Sequence, residues 1–430
     1  MQQLGVTAAA PLLLPGLSRG TAANSKLHIA GIGVGGKGYS DIQEVSKGQN
    51  LVAICDIDET HLARAAEMFP GARTYTDWRR LLEQKDIDAV TVSTPDHMHA
   101  PITMAAMALG KHVYCQKPLT HSVHEARQLT QASRRYGVVT QMGIQNHSAI
   151  RIRKAMEIFR QGPIGKVREI HAWTDRPTGY WPQPAMRPTQ GQASPGTVHW
   201  DHWLGVAPDR PYVKQVYHPF NWRGWRDFGT GALGDMACHI LDPVMWAINP
   251  GPPQAIWSEG PAPSAESFPP WSIIHFEFPG NEHSGGDPIH LMWYDGKKLP
   301  PKEIQRFPDG LSTPDNGSIL IGENGNLLLF GAGPFLLPVE NFTDYEYPTV
   351  EAENHYTEWT AACLNRTSAS TPIDTFSGPL TETILLGNVA LHFPHVRLEW
   401  DSKSFRFTNF PDANQYLRRP YREGWEMEGL

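Results

Sequence analysis

Two groups of residues have types and spacings that could do chemistry. The first is Gly31-x-Gly33-x-x-Gly36, which begins inside the apolar run Leu27-His-Ile-Ala-Gly-Ile-Gly, with Asp56 twenty positions beyond Gly36 at the end of a second apolar run. Each glycine meets a demand of a bound dinucleotide. Gly31 permits a tight turn, Gly33 lets the backbone approach a pyrophosphate, and Gly36 lets a helix pack closely on a strand. The helix behind them offers free N–H groups and a positive dipole end to phosphates. Asp56 is positioned to accept hydrogen bonds from the adenosine ribose hydroxyls. Its charge repels a 2′-phosphate, Asp58 adds to that charge and no Arg follows closely, so NAD is favoured over NADP.

The second group is Lys117, Asp235 and His239. Asp235 and His239 are spaced i, i+4 and share a face if their segment is helical. A neutral imidazole suits a proton acceptor near pH 7, and a lysine cation can bond the same oxygen and stabilise a developing alkoxide. Asp235 can bond a neighbouring hydroxyl or orient the histidine. From spacing alone, a structural histidine remains the commoner reading of His239. A metal site is the rival use for the 19 histidines, and His97-x-His99 could be two ligands. No HExxH and no Cys/His cluster of zinc spacing occurs, so no metal is expected.

The elements around these groups alternate. Apolar runs at 27–33, 51–56, 89–93, 112–115 and 138–142 read as strands. The segments 39–45, 60–68, 78–84, 101–109 and 123–136 between them read as helices. This is a doubly wound parallel sheet, an α/β Rossmann domain over 26–147. Ligands bind such sheets at the carboxyl ends of the strands, where the Thr94-Pro-Asp-His-Met-His loop and Gln116-Lys117-Pro118 fall. From 148 to 430 the texture changes. A helix at 150–160 is followed by alternating segments at 165–174, 272–278, 290–294 and 318–322, which predict an α+β domain with a largely antiparallel open sheet. Between them runs an aromatic, polar stretch that includes Arg176, Trp181, Asn221, Trp222 and Arg223. Trp and Tyr can stack on a pyranose face while Arg, Asn and His bond its hydroxyls. The alternative is that these rings pack one another as a lid, and for most of the 14 Trp core and loop packing is the simpler reading.

At 430 residues the chain has room for two domains, and 40% hydrophobic with 19% charged residues describes a globular protein. A net charge of -7 argues against nucleic acid or an anionic membrane as main partner. Cys55, Cys115, Cys238 and Cys363 form no CxxC pair and are expected to be free thiols. Residues 1–25 resemble the apolar and small-residue regions of a bacterial signal peptide without its positively charged start, and are too short and broken for a membrane span. They are expected to be a signal-peptide remnant of an exported, periplasmic protein; a cytoplasmic protein is the alternative.

The glycine loop, the Thr94-Pro-Asp-His-Met-His loop, Gln116-Lys117-Pro118, Gly234-Asp235-Met-Ala-Cys-His239-Ile-Leu-Asp242 and Gly378-Pro-Leu-Thr-Glu-Thr-Ile-Leu-Leu-Gly-Asn-Val-Ala occur in an order and spacing that resembles the glucose–fructose oxidoreductase / inositol dehydrogenase / MocA family. The nearest likeness is to a bacterial branch of exported members. The family usually has Glu where this chain has Gln116. The resemblance implies catalytic roles for Lys117, Asp235 and His239. It implies a homo-oligomer (dimer or tetramer), and a late helix near 378–392 packed back on the Rossmann domain. The cofactor set it implies is Gly31, Gly33, Val34, Gly35, Gly36, Asp56, Ile57, Ser93, Thr94, Pro95, His97, His99, Gln116, Lys117 and Gln145. The carbohydrate set is Lys117, His147, Arg176, Trp181, Asn221, Trp222, Arg223, Asp235 and His239.

Two activities fit these expectations. One is oxidation of a secondary hydroxyl of a sugar by NAD. The other is a redox-neutral glycosidase with resident NAD, in which C3 oxidation, elimination, hydration and re-reduction return the cofactor each cycle. Export favours the second, because no NAD pool exists outside the cytosol. A nucleotide-binding sensor is a third reading, against which the retained Lys117, Asp235 and His239 argue.

Overall fold

A computed structural model describes residues 26–304 and 313–430. The leader at 1–25 lies outside the described residues. The first sheet has six parallel strands: β1 (His28–Ile32), β2 (Asn50–Cys55), β3 (Arg73–Tyr75), β4 (Ala89–Val92), β5 (His112–Gln116) and β6 (Thr140–Gly143). Their spatial order is β3-β2-β1-β4-β5-β6, so the order reverses between β1 and β4, where a doubly wound sheet opens its crevice. β4, β5 and β6 are buried along their whole length, which is why they read as short apolar runs. β3 has no such signal: it is three residues long and its Arg73 and Thr74 are exposed. The helix Val123–Tyr136 starts and stops where its sequence directs. Ser122 and Glu125 form a reciprocal capping box, and Gly137 ends the helix in the left-handed conformation at φ 62°.

The second sheet has nine strands: β7 (Val167–Thr174), β8 (Ala255–Glu259), β9 (Ile273–Phe278), β10 (Ile289–Tyr294), β11 (Asn316–Gly322), β12 (Asn326–Phe330), β13 (Gly333–Leu337), β14 (Leu398–Asp401) and β15 (Arg406–Phe407). Their order is β13-β12-β11-β7-β10-β9-β8-β14-β15. Only β7 and β10 pair in parallel, and the other neighbours are antiparallel. The helix Gly378–Ala390 lies against the helices Val123–Tyr136 and Gly231–Ile240. A side chain at Gly387 would come within 2.9 Å of Leu233 and of Phe276 on β9, so glycine sets how closely helix and sheet approach. One continuous hydrophobic core then runs from Ala30 and Val90 of the first sheet to Ile274 and Leu291 of the second.

Residues 175–230 are mostly irregular, with short turns of helix at Trp200–Leu204 and Asn221–Gly224. They form a small aromatic core of their own, with Trp203, Tyr217, Trp222, Trp225 and Phe228 all buried. Trp200 stacks on Trp203 at 4.6 Å, and the buried Arg210 lies 4.7 Å from the Phe228 ring while its guanidinium pairs with Asp227. Mutual packing therefore accounts for most of these rings. This aromatic strap also folds over the connection that follows β2. Glu59 N donates to Thr197 O (2.9 Å), His199 N donates to Ile57 O (2.9 Å) and His218 Nε2 lies 3.0 Å from Asp58 Oδ2. All four cysteines are buried and free. Among the described residues, no helix is long and apolar enough to cross a membrane.

Candidate active site

A cleft of about 510 Å³ opens at the carboxyl ends of β1, β2, β4 and β5. Its floor is the glycine loop. The structure moves the glycine roles by two positions. Gly31 sits inside β1, where a Cβ would lie 2.5 Å from Ile42, so it is a packing residue rather than the turn. Gly33 makes the turn at φ 78°, with the Ser93 backbone 2.8 Å from where its Cβ would be. Gly35 precedes the helix Gly36–Val45 and lies under the His61 ring. Gly38 gives close helix–strand contact, its missing Cβ falling 1.7 Å from Gly33 O. Gly36 meets nothing within 4 Å and packs on no strand. The working frame is Gly33-x-Gly35-x-x-Gly38, one of two overlapping frames in this sequence.

Asp56 closes one end of the floor. Its Oδ2 accepts from Val34 N (2.8 Å) and Gly35 N (3.0 Å), and its Oδ1 accepts from Asp58 N (2.9 Å). The Val34 side chain itself points into the core. His61 Nδ1 stands 3.7 Å from Asp56 Oδ1, and the Asp56 carboxylate beside it raises the His61 pKa against its burial.

At the other end stand the ionic residues. Lys117 Nζ donates to Asp235 Oδ1 and to the Asp235 backbone carbonyl, both at 2.9 Å. Arg223 Nε reaches the same Oδ1 at 3.3 Å while its guanidinium lies 4.3 Å from the rings of Phe220 and Trp222. Burial works to raise the Asp235 carboxyl, but Lys117 and then Arg223 overcome it and hold it at about 2. Asp96 also lines the cleft. Burial pushes its carboxyl up to about 7, against the hydrogen bond that Thr230 Oγ1 donates to it at 2.8 Å. His239 is one turn beyond Asp235 and outside the cleft lining, with its Nδ1 buried and unpartnered. Burial, then the Lys117 cation, lowers its pKa to about 3, so the ring is neutral at pH 7.

Gln116 has a local explanation. Its Nε2 donates to Asp41 Oδ2 at 2.8 Å. Asp41 is fully buried on the helix Gly36–Val45 and also accepts from Ser93 Oγ (2.8 Å), Lys37 Nζ (2.7 Å) and Tyr356 OH (2.8 Å). A glutamate at 116 would set two carboxylates against each other, whereas the amide supplies the donor Asp41 needs.

Of the expected cofactor residues, Gly33, Gly35, Gly36, Asp56, Ile57, Ser93, Thr94, Pro95, Gln116 and Lys117 line the cleft. His97 does not. It is fully buried between Trp203 and Phe228 with Nε2 2.9 Å from Trp203 O, and burial lowers its pKa to about 3. His99 does not either. It braces two loops, with Nδ1 on Pro118 O and Nε2 on Thr94 O, both at 2.7 Å. Two carbonyl partners ask for an imidazolium, whereas burial lowers its pKa to about 4. A neutral ring donates through one nitrogen only, and the brace holds through that one. Gln145 turns its amide to Tyr114 OH.

Of the expected carbohydrate residues, Lys117, Trp222, Arg223 and Asp235 line the cleft. His147 is buried elsewhere, with Nδ1 2.7 Å from Asp242 Oδ1 and its ring stacked 3.9 Å from Trp246. Arg176 pairs with Asp175 under Tyr180, Trp181 Nε1 donates to Gln183, and Asn221 donates to Gln215 O; none of them reaches the cleft. His202, Trp203, His218 and Phe220 of the lining belong to the aromatic, polar stretch but were not singled out within it; Lys37, His61 and Trp78 in the lining, and Asp41 beneath it, were missed. Lys37 and Asp41 carry one local signal, an i, i+4 pair of opposite charge, while His61 and Trp78 reach the site only through tertiary packing.

The residues present fit a dinucleotide. The cleft has ligand size, Gly36 leaves open room at the helix N-terminus, and Thr94 Oγ1 is buried in the wall without a partner. Fold and site define a two-sheet α/β protein whose Rossmann half is built for NAD. The chain belongs to the oxidoreductase family with an NAD-binding Rossmann fold, matched over residues 26–144, and with a C-terminal alpha/beta domain matched over 179–280.

The relatives include a levoglucosan dehydrogenase of Pseudarthrobacter phenanthrenivorans, 26% identical over 187 residues, which are 43% of this chain and 39% of the relative. A glycosyl hydrolase family 109 protein of a Shewanella species is 36% identical over 115 residues, 24% of this chain and 25% of the relative. The chain thus matches less than half of either relative's length. Among solved structures, the WlbA dehydrogenase from Bordetella pertussis, determined with NADH and UDP-GlcNAcA, superposes with a TM-score of 0.61 at 16% identity, covering 87% of this chain and 99% of that one.

Proposed function

We propose that the protein oxidises or reduces a secondary hydroxyl of a sugar or sugar derivative with NAD. The observation that carries this reading is the Lys117–Asp235–Arg223 cluster at one end of the cleft whose other end is the glycine loop and Asp56. NAD, when bound, supplies a hydride acceptor and donor. Everything else is the chain's own work. Lys117 uses two N–H groups on Asp235 and keeps a third to bond the reacting oxygen. Asp235 stays ionised and fixes the ammonium's direction. His239 would take the hydroxyl proton only once binding brings its ring toward the cleft, because it stands one turn behind Asp235, outside the lining, and burial with the Lys117 cation lowers its pKa to about 3. Arg223 and Trp222 offer a cation and a ring face to the sugar, consistent with the sugar substrates named for the dehydrogenase relatives.

A second reading is favoured by the strap. Thr197 and His199 bond the backbone of Glu59 and Ile57, and His202, Trp203, His218 and Phe220 of the same strap line the cleft, so the strap walls the end of the cleft next to Asp56, where the adenosine ribose belongs. A covered cofactor exchanges slowly, which suits the redox-neutral glycosidase in which NAD stays through the cycle. The match to a family 109 glycosyl hydrolase lends it support over 115 residues.

One experiment separates the two. The protein is purified without added cofactor, its denatured extract is assayed for NAD, and it is then offered nitrophenyl glycosides and free sugars. Stoichiometric NAD with cofactor-independent nitrophenol release supports the glycosidase. An empty site with NADH formation from free sugars supports the dehydrogenase. No turnover of either kind refutes both.

A further inference from the structure

Three metal-ligand side chains meet where the strap touches the nucleotide-binding half, outside the Lys117 cluster. Asp58 is the N-cap of the helix Glu59–Met68, and His61 lies three positions on, so both face the same way at the helix start. His218 arrives from the strap, 160 positions away in sequence. One ligand atom from each lies within 4.8 Å of the other two.

Metal binding here replaces the proton that His218 Nε2 shares with Asp58 Oδ2. Asp58 Oδ1 is engaged in capping, accepting from Thr60 N (3.0 Å) and Thr60 Oγ1 (2.6 Å). Its Oδ2 is the oxygen that faces His218 Nε2 at 3.0 Å. The His61 and His218 rings are tilted by 52° with centroids 5.7 Å apart, which is not a stack and leaves space between their nitrogens. Zinc binds carboxylate oxygen and imidazole nitrogen at about 2.0–2.2 Å in a tetrahedron, so neighbouring ligand atoms stand roughly 3.4 Å apart. The Asp58–His218 edge is already near that length, and a small rotation of His61 completes the triangle.

We propose that Asp58, His61 and His218 bind one divalent cation of the zinc class, which staples the strap to the helix start beside Asp56. Two imidazoles and one carboxylate select a borderline metal such as zinc or cobalt over magnesium or calcium, which prefer all-oxygen sites. Three protein ligands leave a fourth position, and it opens on the cleft that His61 and His218 line. Two of the ligands sit on one half of the contact and the third on the strap. The cation therefore binds only when the strap is down, and stabilises that state by mass action.

The test uses the full-length chain stripped with chelator. Zinc is titrated in by calorimetry, cobalt is added as a spectroscopic probe, and amide hydrogen exchange is followed over residues 197–220. One equivalent of zinc is expected, with a tetrahedral cobalt spectrum and slower exchange in the strap. His61→Ala and His218→Ala should each weaken zinc at least about 100-fold, because an outer partner alone costs 10–100-fold. Asp58→Asn keeps the cap on Thr60 and should weaken zinc at least about tenfold. His199→Ala removes a neighbouring histidine that pairs with Glu59, and should change nothing. If His218→Ala loosens the strap by itself, His218→Gln with unchanged exchange in metal-free protein carries the same test. Millimolar or absent binding overturns the proposal, as does zinc binding that survives His218→Gln or is lost in His199→Ala. None of these readouts depends on turnover, so they stand or fall apart from the sugar reading.

Discussion

Lys117 and Asp235 are joined twice: the ammonium donates to the Asp235 carboxylate and to the same residue's main-chain carbonyl, each at 2.9 Å. The second bond ties the lysine to the helix Gly231–Ile240 itself, not only to a side chain that can rotate away. Asp235→Asn should therefore leave Lys117 roughly in place but free the Asn amide to point a donor at it. Lys117→Ala should lower kcat by about 10²–10³, the loss typical of one oxyanion-stabilising donor, while NAD affinity changes little. Steady-state kinetics with a fluorescence titration of NAD checks this. Wild-type turnover in Lys117→Ala sinks the assignment.

The two glycine frames predict opposite casualties. A Cβ at Gly38 collides with Gly33 O, whereas one at Gly36 meets open space. Gly38→Ala should destabilise by about 3 kcal/mol or more, through overpacking against backbone that cannot move aside. Gly36→Ala should cost only about 1 kcal/mol, from its left-handed φ of 47°. Urea unfolding of the two variants decides, and equal losses would reinstate the earlier frame.

Asp96 makes stability depend on pH. Its carboxyl sits at about 7 in the fold, above the value of an unfolded aspartate. Between roughly pH 4 and 7 the folded protein keeps a proton that the unfolded chain has lost, so this contribution is full below pH 4 and fades as pH rises through 7. His97 acts in the opposite sense. With its value down at about 3, its contribution is present above about 6.5 and fades toward acid. Comparing wild type with Asp96→Asn isolates the aspartate. The stability difference should shift toward the variant by on the order of 3 kcal/mol between pH 5 and pH 8. Parallel unfolding curves at both pH values would contradict it.

His147 and Arg223 separate stability from binding. His147 is buried against Asp242 and Trp246, so His147→Ala should cost about 3 kcal/mol of stability with KM for the sugar unchanged. Arg223 lines the cleft, so Arg223→Ala should raise KM with little change in melting temperature. It should also let the Asp235 carboxyl rise, visible as an acid-limb shift in the pH–rate profile. Thermal melts paired with kinetics test both halves, and a KM effect for His147→Ala would return it to the site.

Much of the fold was legible because its signals are local. A strand buried on both faces is an apolar run, and Ser122, Glu125 and Gly137 announce the ends of their helix. β3 was missed because three residues, two of them exposed, carry no period. Gly31-Ile-Gly-Val-Gly-Gly-Lys-Gly38 holds the glycine motif in two frames, and only the packing of Ile42 and Gly33 O chooses between them. His97, His99 and His147 illustrate the other limit. In sequence, a histidine that braces a carbonyl or stacks on a tryptophan cannot be told from one that faces a ligand. The Asp41 network draws on positions 37, 93, 116 and 356; only Lys37, at i, i+4 on the same helix, is linked to Asp41 by spacing.

The bonds from Thr197 and His199 to Glu59 and Ile57 also bear on modularity. They give the nucleotide unit a wall that its own residues do not encode. A chimera joining residues 26–144 to another relative's second half would keep the phosphate loop and Asp56 but expose the backbone N–H of Glu59 and the carbonyl of Ile57 to water. In this chain the strap that bonds the connection after β2 also supplies His202, Trp203, His218 and Phe220 to the cleft wall, so exchanging the second half changes the nucleotide unit's surroundings and the cleft lining at once.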